Sequence, residues 1–255
     1  MTDVSPFDPR LAALSPDELK GRVILITGAN QGIGQAVALA CAAHGATVLL
    51  LGRNVRGLEQ VHGRISSQFG AERAAIIEFD LENALARDYD ALFTAIEAQY
   101  QKLDGLLHNA GLLGQLAPIE HYDVPTWCRV LQVNLTSAFV LTQILLPLLK
   151  RAADASIVFT ASGVGRVGRA YWGAYAVTKH ALEGLNEVLS EELSGITQVR
   201  CNSLNPGAVR TRMRRQAYPA EDAGQLAAPQ DITRPYIALL GPASRGISGG
   251  RFDAQ

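Results

Sequence analysis

Short apolar runs alternate along this chain with longer segments of helical hydrophobic period. The runs cover residues 23–26, 47–51, 75–79, 105–107, 156–159 and 199–203. They are continuously apolar, which is typical of strands buried on both faces of a parallel sheet. The periodic segments predict helices near residues 33–44, 57–68, 85–100, 126–149, 173–193 and 231–240, and a closing strand is expected at 251–252. This alternation predicts an α/β fold of Rossmann type: a doubly wound parallel sheet of about seven strands with helices on both faces.

The domain organisation follows from the same pattern, because it continues along the whole chain without a repeat or a Gly/Ser linker. We therefore expect residues 1–255 to form a single domain. One irregular segment, near residues 207–230, is rich in Arg, Pro and Ala. Loops of that length in compact domains are usually functional or mobile, so we expect a flexible, lid-like segment there.

Charge, cysteine content and hydropathy exclude several classes of protein. The 23 Lys and Arg residues nearly balance 24 Asp and Glu, which argues against a nucleic-acid surface. Cys41, Cys128 and Cys201 form no Cys-x-x-Cys pair and the histidines form no ligand motif, so we expect buried reduced thiols and no metal site. The first twenty residues are acidic and Pro-rich, unlike a signal peptide. The apolar stretch 138–149 is shorter than the ~20 residues of a membrane span, so we expect a soluble cytoplasmic protein without a membrane partner.

A glycine-rich turn directly follows the first predicted strand. Residues 27–34 read Thr-Gly-Ala-Asn-Gln-Gly-Ile-Gly, and a helical pattern starts at once. Glycines let the backbone approach a pyrophosphate closely, and a helix N-terminus offers it free N–H groups. A tight packing turn would also explain these glycines, but the position at the first β–α junction favours dinucleotide binding. The candidate cofactor-binding residues of this turn are Gly28, Asn30, Gly32, Ile33 and Gly34.

The end of the second strand indicates which dinucleotide binds. An NAD-specific site places Asp or Glu there to accept a hydrogen bond from the ribose 2′-hydroxyl. Here the residues are Arg53 and Asn54, and the next carboxylate along the chain is Glu59. A guanidinium can hold a 2′-phosphate through charge-assisted hydrogen bonds, whereas a carboxylate would repel it. A solvated surface arginine is the alternative interpretation, and the pattern favours NADP(H).

Tyr175 and Lys179 are four residues apart, so a helix places both side chains on one face. A free tyrosine has a pKa of ~10, but a nearby ammonium and a positively charged nicotinamide favour the phenolate. A tyrosine tuned in this way can exchange a proton with an alcohol or a carbonyl oxygen. Taken alone, the spacing favours a solvated pair on a helix surface. Ser162 changes the balance, because it follows the fifth strand at its carboxyl end and can hydrogen-bond a carbonyl oxygen.

Polar and turn residues also follow the fourth and sixth strands, where packing does not explain them. The fourth strand ends in His108-Asn109-Ala110-Gly111, and the sixth ends in Asn205-Pro206-Gly207. Asn134 lies in the middle of the predicted helix 126–149, although asparagine is a mediocre helix former. Together these features indicate a site at the carboxyl edge of the sheet.

With these motifs the chain resembles the short-chain dehydrogenase/reductase family over residues 19–252, and within it the bacterial YciK-type subgroup through residues 51–54, 108–114 and 172–175. The resemblance implies a catalytic tetrad of Asn134, Ser162, Tyr175 and Lys179. It implies that the cofactor is further bound by Asp80 and Leu81 at the adenine ring, by Asn109, Ala110 and Gly111, and by Pro206, Gly207 and Thr211 at the nicotinamide. His108 replaces the first Asn of the family's Asn-Asn-Ala-Gly motif.

The family also implies a role for each member of the tetrad. Tyr175 is the general acid–base, and Lys179 lowers its pKa and holds the nicotinamide ribose. Ser162 orients the carbonyl, and Asn134 anchors a water that links Lys179 to solvent. The expected activity is hydride transfer between NADP(H) and a small-molecule carbonyl or alcohol. A non-catalytic NADP(H)-sensing or scaffold protein is the alternative, against which the intact tetrad argues.

Family members commonly pair through the two long helices, here 126–149 and 173–193, so we expect a homodimer or homotetramer. The sequence leaves two interpretations open for the side chains that could select the substrate. Six arginines are concerned: Arg210, Arg212, Arg214 and Arg215, with Arg166 and Arg169. Either these arginines bind an anionic substrate or a cofactor phosphate, or they are solvated surface residues. Tyr171 and Trp172 either stack on a substrate ring or pack at the start of a helix.

Overall fold

The computed structural model describes residues 7–255, which form one seven-stranded sheet. The strands are β1 (Val23–Thr27), β2 (Thr47–Gly52), β3 (Ala74–Glu78), β4 (Gly105–His108), β5 (Ala155–Thr160), β6 (Val199–Asn205) and β7 (Arg251–Asp253). Their spatial order is β3-β2-β1-β4-β5-β6-β7, and every neighbouring pair is parallel. The predicted doubly wound parallel sheet is confirmed.

Helices cover both faces of the sheet. They are α1 (Gly32–Ala43), α2 (Val55–Phe69), α3 (Ala86–Tyr100), α4 (Val124–Leu131), α5 (Ser137–Lys150), α6 (Gly173–Leu193), α7 (Arg212–Ala217) and α8 (Thr233–Leu240). Successive strand residues point to opposite faces, so Leu49 and Leu51 pack with residues of α3, α5 and α6, whereas Val48 and Leu50 pack with those of α1, α2 and α8. Both faces need apolar side chains, which explains why the strands are continuously apolar.

The longest apolar helix combines α4, a five-residue π segment (Gln132–Thr136) and α5 into one run, Val124–Lys150. Among residues 7–255 it is the one helix long and apolar enough to cross a membrane by length and composition. Its Leu141, Leu145 and Leu148 are fully buried in the core that also contains α3 and β5. This is the environment of a core helix packed on a sheet, so the apolar composition is explained by packing.

The strand order reverses between β1 and β4, because β2 and β3 lie on one side of this pair and β5 to β7 on the other. Connections leaving the two strands therefore diverge and open a crevice at their carboxyl ends, where open α/β sheets bind ligands. Thr27, the last residue of β1, joins the crevice walls: its Oγ1 accepts hydrogen bonds from the N–H groups of Asn109 (2.9 Å) and Ala110 (3.0 Å).

The segment 207–230 is more regular than its sequence indicates. It contains α7, and Val209 forms a parallel bridge with Ala227. Arg214 donates to both carboxylate oxygens of Glu221 at 2.6 and 2.5 Å, which closes the segment on itself. These contacts correct the expectation of an irregular loop; its motion as a lid stays a prediction.

The cysteines follow the sequence prediction in two cases of three. Cys41 and Cys201 are fully buried, and burial raises the pKa of both thiols. Cys128 is exposed on α4, so the expectation of a buried thiol is wrong there. An amphipathic helix explains the difference, because α4 buries Val130 and turns other positions outward.

Candidate active site

A cleft of about 460 Å³ lies over the carboxyl ends of the central strands. It is lined by most of the residues predicted from the sequence to bind cofactor or substrate: Gly28, Asn30, Gly32, Ile33, Arg53, Asn54, Asp80, Leu81, Asn109, Ala110, Gly111, Ser162, Tyr175, Lys179, Pro206, Gly207 and Thr211. Gly34 and Asn134, the two remaining predicted residues, are not part of its lining. The tertiary fold thus brings together residues as far apart in the chain as Gly28 and Thr211.

The glycine turn is shaped for close approach to a phosphate group. Gly28 and Gly32 have φ of +65° and +57°, which side chains disfavour. A Cβ on Gly34 would lie 2.4 Å from the carbonyl oxygen of Gly28, so this glycine acts through tight packing behind the turn. Among the described residues, Gln31 at the N-cap of α1 makes no side-chain capping bond to the first helical N–H groups. These donors border the cleft, and the turn therefore fits the pyrophosphate of a dinucleotide.

The loop after β4 forms the opposite wall of the cleft. The side-chain amide of Asn109 donates to the carbonyl oxygen of Thr27 at 3.1 Å, which holds the loop against the end of β1. His108 lies behind this wall, where its ring stacks on Phe159 and its Nε2 is 2.9 Å from Oγ1 of Thr142. Burial lowers the pKa of His108 to about 3, so the ring is neutral at physiological pH.

Asn134 supports the same loop from below. It lies on the π segment, where its Oδ1 accepts the N–H of Leu112 at 2.7 Å and its Nδ2 donates to the carbonyl of Leu112 at 2.9 Å. The same Nδ2 donates to Oγ1 of Thr178 on α6 at 3.1 Å. The oddity of an asparagine in mid-helix is explained, because the side chain joins this loop to the helix that carries Tyr175. Its predicted role at a water stays a prediction.

Lys179 is buried at the base of the cleft with 3% of its surface exposed. Its Nζ donates to the carbonyl oxygen of Thr160 at 2.7 Å and lies 5.6 Å from the ring centroid of Tyr175. Burial lowers the pKa of the Lys179 ammonium to about 8, and the negative charge of Glu183, one helical turn away, opposes that shift. The expected juxtaposition of ammonium and phenol is present.

The acidity of the Tyr175 phenol in the cofactor-free protein depends on its burial. Burial raises the pKa of its phenol, and hydrogen bonding to the Ser162 side chain acts in the opposite direction. The phenol of the cofactor-free protein is therefore protonated at neutral pH, and the lowered pKa expected beside a bound, positively charged nicotinamide stays a prediction.

Apolar side chains surround Tyr175 and were mostly missed by the sequence analysis. Leu113 and Val164 pack with it in one cluster, joined by Trp172 and Met213. The Trp172 ring lies 5.7 Å from the Tyr175 ring, so it packs at the helix start and lines the cleft at the same time. Leu113 lies two residues after the Asn-Ala-Gly motif, and this proximity was the signal available in the sequence.

Arg53 lies at the far end of the cleft, where it is close to two carboxylates. Its Nη1 is 2.9 Å from Oε2 of Glu82 and 3.9 Å from Oδ1 of Asp80. Glu82 in turn accepts from Nε of Arg129 at 2.7 Å. The absence of a carboxylate near Arg53 in the sequence was therefore misleading, because β3 lies beside β2 and brings two carboxylates to it. Glu82 lines the cleft and was missed.

Four further arginines predicted near the cleft have different environments: Arg166 and Arg169 bind other side chains, and Arg212 and Arg214 line the cleft. Arg166 donates to both oxygens of Asp253 at 3.0 and 2.8 Å and pairs with Glu183, so it ties its loop to β7 and is neither solvated nor a ligand-binding group. Arg169 donates to the hydroxyl of Tyr218 at 2.8 Å. Arg212 and Arg214 line the cleft, and Arg214 stacks on the ring of Tyr218.

Comparisons with known proteins agree with this geometry. A family model described as short chain dehydrogenase matches residues 22–222. The chain is 46% identical to the uncharacterized oxidoreductase YciK of Escherichia coli (strain K12), over 94% of both chains. It superimposes on a putative short chain dehydrogenase from Pseudomonas syringae with a TM-score of 0.94 and 51% identity, covering 98% of this chain and 99% of that one. A putative short chain dehydrogenase from Escherichia coli CFT073, complexed with NADPH, gives a TM-score of 0.91 and 46% identity, over 94% and 99% of the two chains.

Proposed function

Because the chain belongs to the short-chain dehydrogenases, in their YciK subgroup, we propose that this oxidoreductase interconverts a carbonyl compound and an alcohol with NADP(H) in the cytoplasm. One observation carries the proposal: the Tyr175 phenol and the Ser162 side chain meet in the cleft beside the buried ammonium of Lys179. A phenol, a hydroxyl and an ammonium at one strand edge are the groups that proton transfer to a carbonyl oxygen needs.

The residues of the cleft fit a phosphorylated dinucleotide. The glycine turn and the N-terminus of α1 would hold its pyrophosphate, and Arg53 would hold its 2′-phosphate. The NADPH complex of the 46% identical Escherichia coli CFT073 protein supports this choice of cofactor. The bound cofactor would supply or accept a hydride at its nicotinamide ring, next to Pro206, Gly207 and Thr211.

The chain's own residues would manage the proton. In the direction of reduction the Tyr175 hydroxyl donates to the developing alkoxide, and burial favours this because it keeps the phenol protonated. Ser162 donates a hydrogen bond to the same oxygen and so positions it. Lys179 would hold the nicotinamide ribose, and its ammonium places a positive charge beside the phenol ring, which would stabilise the phenolate that remains after proton transfer.

The walls of the cleft support a substrate whose carbonyl carries an apolar group. Leu113, Val164, Trp172 and Met213 enclose the Tyr175 ring. A second cavity of about 360 Å³ extends from Leu113, and its lining combines apolar and polar side chains: Leu112, Leu113, Leu116 and Val130 with Thr126, Arg129 and Gln216. Such walls favour alicyclic, aryl or long-chain carbonyls over small polar ones.

The experiment that tests this function is the Tyr175→Phe variant, assayed by NADPH absorbance loss against a broad panel of ketones, aldehydes and quinones. We expect turnover to fall about 10³-fold, because general acid catalysis is lost, while calorimetry finds unchanged NADPH binding. Tyr89→Phe is the matched control, since Tyr89 is buried in the core and its hydroxyl has no partner among the described residues.

Full activity of Tyr175→Phe would overturn the acid–base assignment. Wild-type protein that binds NADPH but reduces no member of the panel would favour the alternative of a sensing or scaffold protein.

A further inference from the structure

Four charged side chains form a network of ion pairs at one end of the cleft, the end where a 2′-phosphate would bind. Asp80 and Glu82 follow β3, Arg53 follows β2, and Arg129 reaches them from α4. Arg129 donates from Nε to Oε1 of Glu82 at 2.7 Å and from Nη2 to Oε2 at 3.3 Å. Oε2 also accepts from Nη1 of Arg53 at 2.9 Å, so one carboxylate is shared by two guanidinium groups.

The charges of this group balance only when Arg129 is counted. Asp80 and Glu82 bring two negative charges to the side chain of Arg53, whose single positive charge would leave this corner of the cleft negative. Hydrogen bonds from Arg129 hold the pKa of the Glu82 carboxyl below its usual range, so the carboxylate is ionised at neutral pH. Arg129 makes the sum of the four charges zero.

A negative corner would disfavour the phosphorylated cofactor specifically. The 2′-phosphate carries close to two negative charges at neutral pH, and it would approach Arg53 within a few ångströms of Glu82. NAD(H) has a neutral hydroxyl at the same place, so an unneutralised Glu82 would not repel it and would even accept its hydrogen bond. Neutralisation of Glu82 by Arg129 therefore affects the binding of NADP(H) but not that of NAD(H).

We propose that Arg129 is a positioning residue for cofactor choice: by neutralising and orienting Glu82, it allows Arg53 to bind the 2′-phosphate of NADP(H). The inference rests on the proposed function, because it assumes that NADP(H) occupies this cleft. Arg129 itself is half-exposed on α4 and acts through the carboxylate, so its effect depends on the charge of Glu82.

The test is a double-mutant cycle of Arg129→Gln and Glu82→Gln, with dissociation constants for NADPH and NADH measured by calorimetry at low salt. Arg129→Gln should weaken NADPH binding about fivefold, as expected for one uncompensated like charge near the surface, and change NADH binding less than about twofold. Glu82→Gln keeps an oxygen that accepts from Arg53 but removes the repelling charge, so it should tighten NADPH binding. In the Glu82→Gln background, Arg129→Gln should have no further effect on the ratio of the two constants.

Arg151→Gln is the matched control, because Arg151 also forms an exposed pair, with Glu97 at 2.6 Å, and does not line the cleft. It should leave both dissociation constants unchanged. Equal weakening of NADPH and NADH by Arg129→Gln, or the same loss in the Glu82→Gln background, would overturn the inference.

Arg53→Gln separates this inference from the proposed function. If wild-type protein prefers NADPH and Arg53→Gln abolishes the preference, the cofactor assignment stands, and an unaffected Arg129→Gln variant refutes the role of Arg129 alone. If wild-type protein binds NADH as tightly as NADPH, the assignment of NADP(H) fails, and the inference fails with it.

Discussion

His108 illustrates how one substitution in a motif changes the physical behaviour of a buried position. The ring lies almost parallel to Phe159 with the centroids 5.0 Å apart, and it is 5% exposed. Protonation there would place a charge in a low-dielectric site close to the ammonium of Lys179, and for both reasons the pKa of His108 is lowered to about 3. The histidine is therefore a neutral packing residue with one hydrogen bond, to Thr142.

A pH dependence of stability follows from this residue. Below pH 6.5 the unfolded chain takes up a proton at His108 that the folded protein refuses until about pH 3, so the free energy of unfolding falls as the pH falls. The loss amounts to about 1.4 kcal/mol per pH unit in this window, or about 2 kcal/mol at pH 5. Urea unfolding at pH 7 and pH 5 measures it, and His108→Asn should remove this part of the pH dependence.

The matching control for this measurement is His121→Asn, because His121 is exposed and contributes no buried ring. That variant should retain the full wild-type pH dependence. An unchanged difference between pH 7 and pH 5 in His108→Asn would contradict the assignment.

At the scale of elements, the π segment Gln132–Thr136 connects the helix core to the cleft. An i→i+5 turn is rarer than an α-turn and commonly marks a functional site. Here it presents Asn134, 2% exposed, to both backbone polar groups of Leu112 and to Thr178. The loop that follows β4 and the helix that carries Tyr175 are thus held at a fixed distance by one side chain.

Asn134→Ala should loosen this connection. The N–H and carbonyl of Leu112 lose their partner, which we expect to lower the free energy of unfolding by about 2–3 kcal/mol, and NADPH affinity falls because the cleft wall is no longer fixed. Thr178→Val removes the third hydrogen bond and also the one that Oγ1 of Thr178 donates to the carbonyl oxygen of Tyr175 at 2.8 Å, so it should cost about 1–2 kcal/mol. Both bonds between Asn134 and Leu112 remain in this variant, so NADPH affinity should be unchanged. Urea unfolding and calorimetry check both variants, and equal NADPH affinity of Asn134→Ala and wild type would refute the positioning role.

At the scale of the whole molecule, α5 and α6 carry exposed apolar side chains. Phe139 on α5 and Val177 and Val188 on α6 are each about half-exposed. Exposed apolar side chains are found at interfaces between subunits, where a partner covers them. They support the prediction that the protein pairs through these helices as a dimer or tetramer.

Light scattering coupled to size exclusion tests that prediction. Wild-type protein should elute with at least twice the 27.3 kDa mass of the chain, and the double variant Phe139→Asp/Val188→Asp should shift towards the monomer, because two charges would be buried in the interface. Ile196→Asp is the control, since Ile196 is also apolar and even more exposed, but lies outside both helices. A wild-type monomer, or an unchanged assembly in the double variant, would contradict it.

The fold class and the local motifs were predictable because each depends on short stretches of chain. Strands buried on both faces must be continuously apolar, so Val48 to Leu51 already indicated the parallel sheet. The glycines of the turn after β1 meet a backbone requirement at their own positions. Tyr175 and Lys179 share a helix face by spacing alone. None of these inferences depends on which residues from distant parts of the chain come into contact in the fold.

Acidity and ion pairing were not predictable, because they depend on what distant segments cover or contact. The phenol of Tyr175 has a raised pKa since its surroundings, contributed by several loops, exclude water. Arg53 meets Glu82, 29 residues further on, and Glu82 meets Arg129, 47 residues beyond it. Coulomb energy and desolvation are functions of distance and burial in three dimensions, and spacing along a chain measures neither.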